Sequence, residues 1–530
     1  MSRGSRRRTG YLWAAVVLIA VCGAPSLLYP FGRDQAMFAH IADRWMHGDL
    51  PYRDAWDIKP PGVFLAYAAA LRLFGRSAIA PRAADLLVTI LAAACLYALA
   101  CRQGDRLRAA LAAALFGMVY FTFGYWETAQ VEGFAAPVAV ALVYSLLEAQ
   151  SRPSNRWWAV AGMCLGILVV LKTSFLLFAL LAVVPARSSL RRGQRPWAGL
   201  GLFVAAAALP AALTALYFAQ HRALGYLAEL LSAQLAYAQG DIGGNLQRSA
   251  ADWAAVARQP TVLLCLVPAC LAPLDPRTRQ HPDYAMVLSW LGISAAVFAG
   301  QQRFALYHAL PLLPPLALLA SGPLSSVLRA ASGRRSVPAR LLTAAGVAIV
   351  VAAILPSIGV RYRLAVHFLS GRVSPQEYWA HFPGMYDYSY GECVLVAEHV
   401  RARTQPDDPI LVYAFEPAIY FIAQRHSPTR HLSTAPIFGE TQIPRELRER
   451  WLAEQLQDIA VRPPRYLITV GCLHCARLTA EHGPPPEEFS LAGHLFRREA
   501  HTPKFTVYRR MDAPPVPGAL PPDLGLLPAS

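Results

Sequence analysis

Long, nearly uncharged apolar runs recur through the first two-thirds of the chain, and a helix that crosses a bilayer needs about 20 such residues. The runs fall near 11–30, 83–102, 107–124, 132–150, 157–171, 173–187, 197–219, 260–274, 284–300, 304–321 and 340–359. They predict an α-helical polytopic membrane protein of about 11 transmembrane helices over residues 1–360. Of the 530 residues 55% are hydrophobic and 15% charged, and the mean hydropathy is +0.33, as expected of such a chain with a polar portion attached. The opening MSRGSRRRTG and the apolar run after it imitate a secretory signal. Further spans follow without a convincing small-residue cleavage motif, so this run is read as an uncleaved first helix.

A net charge of +16 would point a soluble protein toward nucleic acid. Here the arginines sit in short loops between apolar runs, at 3–8, 102–108, 152–156, 187–195, 277–279 and 329–340, so every second loop is basic. Basic loops stay in the cytoplasm. The pattern therefore predicts a multi-pass protein of the plasma (inner) membrane with a cytoplasmic N-terminus, lipid around it and no nucleic-acid partner. The short apolar stretch 61–75 is laid along the outer surface, because a full span there would invert every later basic loop. Arg72, Arg76 and Arg82 then stand as local exceptions on the outside.

After residue 360 the character changes. PDDPILVYAF, RPPRYLITV and KFTVYRR read as strands, and EPAIYFIAQ and PRELRERWLAEQLQDIA as helices, so 361–512 is expected to be an extracytoplasmic α/β domain. The Pro-rich run 513–530 is expected to be disordered. Six of the nine cysteines lie in or beside predicted spans, where they act as small apolar residues. Cys472 and Cys475 form a C-L-H-C spacing without a second ligand pair, which fits a disulfide or free thiols better than a metal.

The predicted topology gathers the unusual polar residues on one side. Arg33 and Asp34 close the first span, Asp57 and Lys59 lie in the loop after it, and Glu127 and Glu132 open the fourth span. Lys172 tops a short hairpin, and Arg303, Tyr307 and His308 begin the tenth span. Ionisable groups in such segments are costly unless they face a cavity or a partner. The loop carrying the first of them, GRDQAMFAHIADRWMHGDLPYRDAWDIKPPGVFL, resembles the first extracytoplasmic loop of the GT-C membrane glycosyltransferases. It is most similar to the family 39 and aminoarabinose-transferase-like branch, which takes sugars from polyprenyl phosphate carriers. The resemblance covers roughly residues 10–325 and implies a GT-C-like fold.

It also implies roles. Asp34 in GRDQ occupies the place of the catalytic base, and WDIKPPG supplies a second acid, Asp57, and a phosphate-binding Lys59, here separated by Ile58. ETAQVEGFAAPVAVAL nominates Glu132 ahead of Glu127, and LKTSFLLFALLAVVP carries the hairpin lysine, Lys172. Transfer from a polyprenyl phosphate expels a phosphate, which Lys59, Lys172 and Arg303 are placed to meet. Arg33, Glu132, Tyr307 and His308 complete the candidate substrate site. Plainer readings stand beside these. Asp34 suits an N-cap, Asp57 and Lys59 suit a local ion pair, and Lys172 suits a side chain snorkelling to water. His308 suits a packing residue, and Asp57 with His308 are the only candidates for a divalent metal, whose need stays open.

The expected function is a membrane glycosyltransferase that moves a sugar from a polyprenyl phosphate to a lipid, glycan or protein acceptor at the extracytoplasmic face. The alternatives are a lipid or sugar transporter or flippase without transferase activity, and a scaffold. A transporter would carry its charges near the midplane and show two related halves, whereas here they cluster at one face.

Overall fold

The structure, a computed structural model, describes residues 3–103, 105–152, 154–237, 242–333, 355–356, 358–384, 388–438, 443–470, 486–513 and 527–528. The N-terminal bundle comprises α1 (Arg3–Gly23), α2 (Arg33–Met46), α3 (Gly62–Phe74), α4 (Ile79–Cys101), α5 (Arg106–Tyr120), α6 (Val131–Ser151) and α7 (Asn155–Leu171). It continues with α8 (Val183–Arg191), α9 (Trp197–Gln220), α10 (Leu224–Tyr237), α11 (Ile242–Ala257), α12 (Pro260–Leu271), α13 (Pro276–Arg279), α14 (Tyr284–Gly300) and α15 (Leu313–Gly333). Two 3₁₀ stretches, Thr173–Ala182 and Leu306–Leu312, lead into α8 and α15.

Among the described residues six helical stretches are long and apolar enough to cross a bilayer: Gly10–Leu28, Ile79–Cys101, Val131–Ser151, Thr173–Arg191, Trp197–Gln220 and Leu306–Ala330. A pair bent by 79°, Ser249–Ala257 and Pro260–Leu274, makes a seventh if taken as one span. The expected count of 11 is not confirmed. The physical reason is that several apolar runs are used as short or broken helices: Asn155–Leu171 and Tyr284–Gly300 fall below span length, and α5 ends at Tyr120. The expected run 340–359 lies largely outside the described residues. The stretch laid along the surface is α3, packed between α2 and α4 with Val63, Phe64 and Tyr67 buried.

The tightest pair in the bundle is α7 against α9. Gly162 and Gly166 stand one turn apart on α7, and a Cβ on either would strike the α9 backbone at Phe203 and Ala207 respectively. Lipid offers helices no hydrophobic incentive to associate, so close backbone approach through small residues supplies the packing. The opposite face of α9 leaves Val204, Leu213 and Leu216 exposed, an apolar surface suited to lipid.

The C-terminal domain begins with α16 (358–369) and α17 (Pro375–Ala380). It adds α18 (Tyr390–Ala402), α19 (Ala418–Ala423), α20 (Ala435–Phe438) and α21 (Arg445–Val461) around β1 (Ile410–Tyr413), β2 (Tyr466–Val470), β3 (Glu488–Leu491), β4 (His494–His501), β5 (Phe505–Arg510) and β6 (Leu527–Pro528). The strand order is β1-β2-β5-β4-β3, with β1 and β2 parallel in the register Ile410 to Tyr466, the rest antiparallel, and β6 paired with β4. All five elements expected of this domain are present. The β3–β4 hairpin was not foreseen, although its two-residue turn, Ala492 and Gly493 at φ 50° and 84°, matches the positive-φ geometry that hairpins favour. The Pro-rich run other than residues 513 and 527–528, and Cys472 with Cys475, lie outside the described residues.

The domain docks on one end of the bundle. Arg33 of α2 donates to Glu416 at 2.6 Å, the Trp56 amide donates to the Arg430 carbonyl at 2.7 Å, and Phe31 packs edge-on against Phe421. Gly166→Ala is expected to cost about 1–3 kcal/mol, the usual penalty of overpacking, read as a lower thermal midpoint of the purified protein. An unchanged midpoint would mean that α7 and α9 do not depend on that contact.

Candidate active site

Each charged group at this end is positioned by a local backbone feature. Gly32 is the N-cap of α2, in extended conformation at φ −84° and ψ 177°, and no side chain caps the helix. Asp34 therefore does not serve as the cap. It sits in the first turn, where the helix dipole favours a carboxylate, and accepts from Gln130 Nε2 at 3.3 Å and from the Tyr307 hydroxyl. The neighbouring Arg33 lines neither cavity described below and is held by Glu416.

The segment carrying Asp57 and Lys59 is fixed at several points. The Tyr52 hydroxyl donates to the Lys59 carbonyl at 2.8 Å, Gln234 Nε2 donates to the Ile58 carbonyl at 2.7 Å, and Trp56 bridges to His431 of the C-terminal domain. At its far end Gly62 opens α3 against α7, where an added Cβ would lie 2.7 Å from the Val170 carbonyl oxygen. Asp57 accepts from the backbone amides of Ile58 and Lys59. Burial pushes its carboxyl up to about 6, with the Asp34 charge adding to the rise and Lys59 opposing it. Burial works against the charge of Lys59, but Asp34, Tyr237, Asp57 and Glu132 outweigh it and raise its pKa.

These groups line two adjoining cavities. One, of about 100 Å³, is bordered by Asp34, Asp57, Lys59, Tyr237 and Tyr307, with Phe415, Ser433 and Pro436 of the C-terminal domain over it. The other, of about 120 Å³, is bordered by Lys59, Lys172, Tyr237, Arg303 and His308. Ile58, Lys59 and Tyr237 belong to both, so they form the wall between a carboxylate side and a cationic side. Lys172 pairs with Glu132, which is buried beneath it rather than exposed to the cavity. Arg303 lies over the Tyr237 ring at 3.6 Å and donates to its carbonyl at 3.2 Å. It is presented by a tight loop in which Gln302 and Phe304 both have positive φ, held by Asn245 and Trp253 of α11.

Tyr237, Gln130 and Gln234 were missed in the sequence. A faint signal exists for two of them, Gln234 as a polar residue inside the apolar α10 and Gln130 two positions ahead of Glu132, whereas Tyr237 carries none. Also missed was the support behind Gln130. The fully buried Arg82 donates to the carbonyls of Pro30, Tyr125 and Thr128, Gln35 donates to those of Trp126 and Thr128, and the Tyr67 hydroxyl donates to Ala129 at 2.7 Å. Arg82 and Arg76, which is paired with Asp43 at 2.8 Å, are thus structural ions rather than loop charges, and this explains two of the three local exceptions to the arginine pattern, Arg72 being exposed.

Asp57 and His308, the candidate metal ligands, line different cavities, and no group of three or more His, Cys, Asp or Glu residues converges among the described residues. His308 is buried, and its Nδ1 has no hydrogen-bond partner among the described residues.

Residues 58–217 match the family described as dolichyl-phosphate-mannose-protein mannosyltransferase. No curated protein matches the chain. Among solved structures, ArnT from Cupriavidus metallidurans bound to undecaprenyl phosphate is similar at 14% identity and a TM-score of 0.57, over 94% of this chain and 97% of that one. Its apo form gives 12% and 0.51, over 96% and 98%. The apo oligosaccharyltransferase of Archaeoglobus fulgidus gives 13% and 0.50, over 87% of this chain and 69% of that one. The matched segment begins inside the WDIKPPG motif, and the fold shared with ArnT runs nearly the full length of both chains.

Proposed function

We propose that the protein transfers one sugar from a polyprenyl phosphate carrier to the hydroxyl of a lipid, glycan or protein acceptor, at the extracytoplasmic face of the plasma membrane. The observation that carries this reading is the wall of Lys59 and Tyr237 between an acidic and a cationic cavity. Transfer from a sugar phosphate needs both environments, one on each side of the anomeric carbon. The carrier phosphate would sit among Lys59, Lys172 and Arg303, leaving the anomeric carbon at the wall. The acceptor hydroxyl would approach from the other side and give its proton to Asp34 as the new bond forms. The carbon–oxygen bond to phosphate breaks with its electron pair, and the charge left on phosphate is met by the cations. Attack and departure on opposite faces invert the anomeric centre.

Asp57 lies beside Asp34 in the same cavity, suited to stabilise positive charge developing on the sugar ring. The Lys172–Glu132 ion pair holds the ammonium in place beside the cationic cavity. The orientation is supported by the far end of the bundle, where Arg152, Arg156, Arg191, Arg192, Arg277 and Arg279 are exposed, a basic rim suited to the cytoplasm.

Asp34→Asn should lower the release of free polyprenyl phosphate from a panel of labelled polyprenyl phosphate sugars by about 10²–10⁴-fold, the usual worth of a general base. Full activity in that variant would remove Asp34 from the role. Because the Asp57 carboxyl is held up at about 6, it is charged above that pH and neutral below it. Transfer should therefore decline as pH falls through about 6, and Asp57→Asn should show a lower rate without that acid limb. An acid limb that persists unchanged in Asp57→Asn would assign it to another group.

A further inference from the structure

A third cavity lies on the other side of the loop that carries Gln130. It encloses about 430 Å³, within the roughly 300–1,000 Å³ of small-molecule sites. Its walls are the aromatic rings of Tyr29, Tyr125, Trp126, Tyr378 and Phe382, with the carboxylate of Glu127 among them. Arg361 and His381 border it where α16 and the end of α17 meet the loop.

Three features make this a place for a ligand rather than a packing defect. The Tyr125 side chain is 94% buried, at 6% relative exposure, yet its hydroxyl has no hydrogen-bond partner among the described residues. The Glu127 carboxylate accepts from the amides of Gly124 and of Glu127 itself and forms no ion pair among the described residues. The rings are held rigid: Tyr125 meets Phe382 edge-on at 5.4 Å, Trp126 meets Tyr388 at 5.6 Å, and Tyr378 stacks on Phe368 at 4.2 Å. A flat apolar ring face beside an acceptor carboxylate and a free hydroxyl is the chemistry that recognises a pyranose, whose one face is C–H and whose rim is hydroxyl.

We infer that this cavity is a saccharide-binding subsite that holds a sugar ring of the acceptor, with Trp126 and the neighbouring tyrosines against the ring and Glu127 and Tyr125 Oη on its hydroxyls. As an acceptor subsite it rests on the glycosyl-transfer reading; as a sugar site it does not. Burial lifts the Glu127 carboxyl to about 7, so near neutral pH it can both accept and donate to sugar hydroxyls. The subsite has a direct line to the proposed base, because Gln130 Nε2 donates both to the Trp126 carbonyl at 3.1 Å and to Asp34 at 3.3 Å. The sugar can arrive on a lipid or on a free glycan. The exposed apolar residues of α16, Val360 and Val366, would lie against lipid beside the cavity in the first case.

The test uses the full-length protein in nanodiscs with methyl glycosides of glucose, mannose and glucosamine as probes, read by saturation-transfer NMR and titration. At least one glycoside should receive saturation at its ring C–H protons. Binding should weaken roughly tenfold in Glu127→Gln, the worth of a hydrogen bond to a charged group, and also in Tyr125→Phe. It should persist in Asp34→Asn, so the result does not depend on transfer. Binding that vanishes in Asp34→Asn but survives in Glu127→Gln would confine sugars to the two cavities already described and overturn the proposal, as would no binding to any probe. An octyl glycoside of the same sugar that binds tighter than the methyl glycoside would identify a lipid-borne sugar, and equal affinity a free glycan.

Discussion

The site depends on one segment being unable to move. Trp56–Gly62 carries the second acid and a lysine shared by both cavities, and it is tied to a different body at each end. At Trp56 the tie is a backbone hydrogen bond into the C-terminal domain, and at Gly62 it is a backbone contact with α7 that tolerates no side chain. Between the ties, Gln234 and Tyr52 take up the carbonyls of Ile58 and Lys59. A segment tied at these points holds its side chains with little fresh ordering entropy lost when a substrate arrives.

Charge burial explains why the segment needs that restraint. Lys59, Lys172, Asp34, Asp57 and Glu132 lie close together in an environment that penalises each of them singly. An unpartnered ion there would be expelled or would change protonation. The arrangement meets this by pairing Lys172 with Glu132 and by surrounding Lys59 with acids, so each cation beside the cavity has a partner.

What was legible in the sequence was what is local. Asp34, Asp57 and Lys59 lie in one loop between apolar runs, so their crowding could be seen without knowing the fold, and five elements of the C-terminal domain follow from period and turn residues. What escaped is long-range. Tyr237 reaches the wall from a helix 178 positions after Lys59, and nothing in LAYAQ marks it. Arg82 looked like a misplaced loop charge because its partners, Pro30, Tyr125 and Thr128, are carbonyls that only the folded chain brings to it. The span count is not confirmed for a related reason: hydropathy reports that a stretch tolerates lipid or a core, whereas length decides whether it crosses, and helices such as Asn155–Leu171 and Tyr284–Gly300 are apolar but short.

Arg82 also shows how the two faces of one loop are made to serve different ends. A guanidinium fully inside the bundle is costly, and its charge is distributed over the carbonyls of Pro30, Tyr125 and Thr128 together with the Thr128 hydroxyl. Two of those carbonyls, of Tyr125 and Thr128, belong to the turn from Gly124 to Gln130, so the turn is held from within the bundle as well as by the rings of Phe382 and Tyr388. One edge of it can then offer Gln130 to the carboxylate of Asp34 while the other offers Trp126 and Glu127 to a separate cavity. Gln130 joins the two edges, its Nε2 donating to the Trp126 carbonyl on one side and to the Asp34 carboxylate on the other.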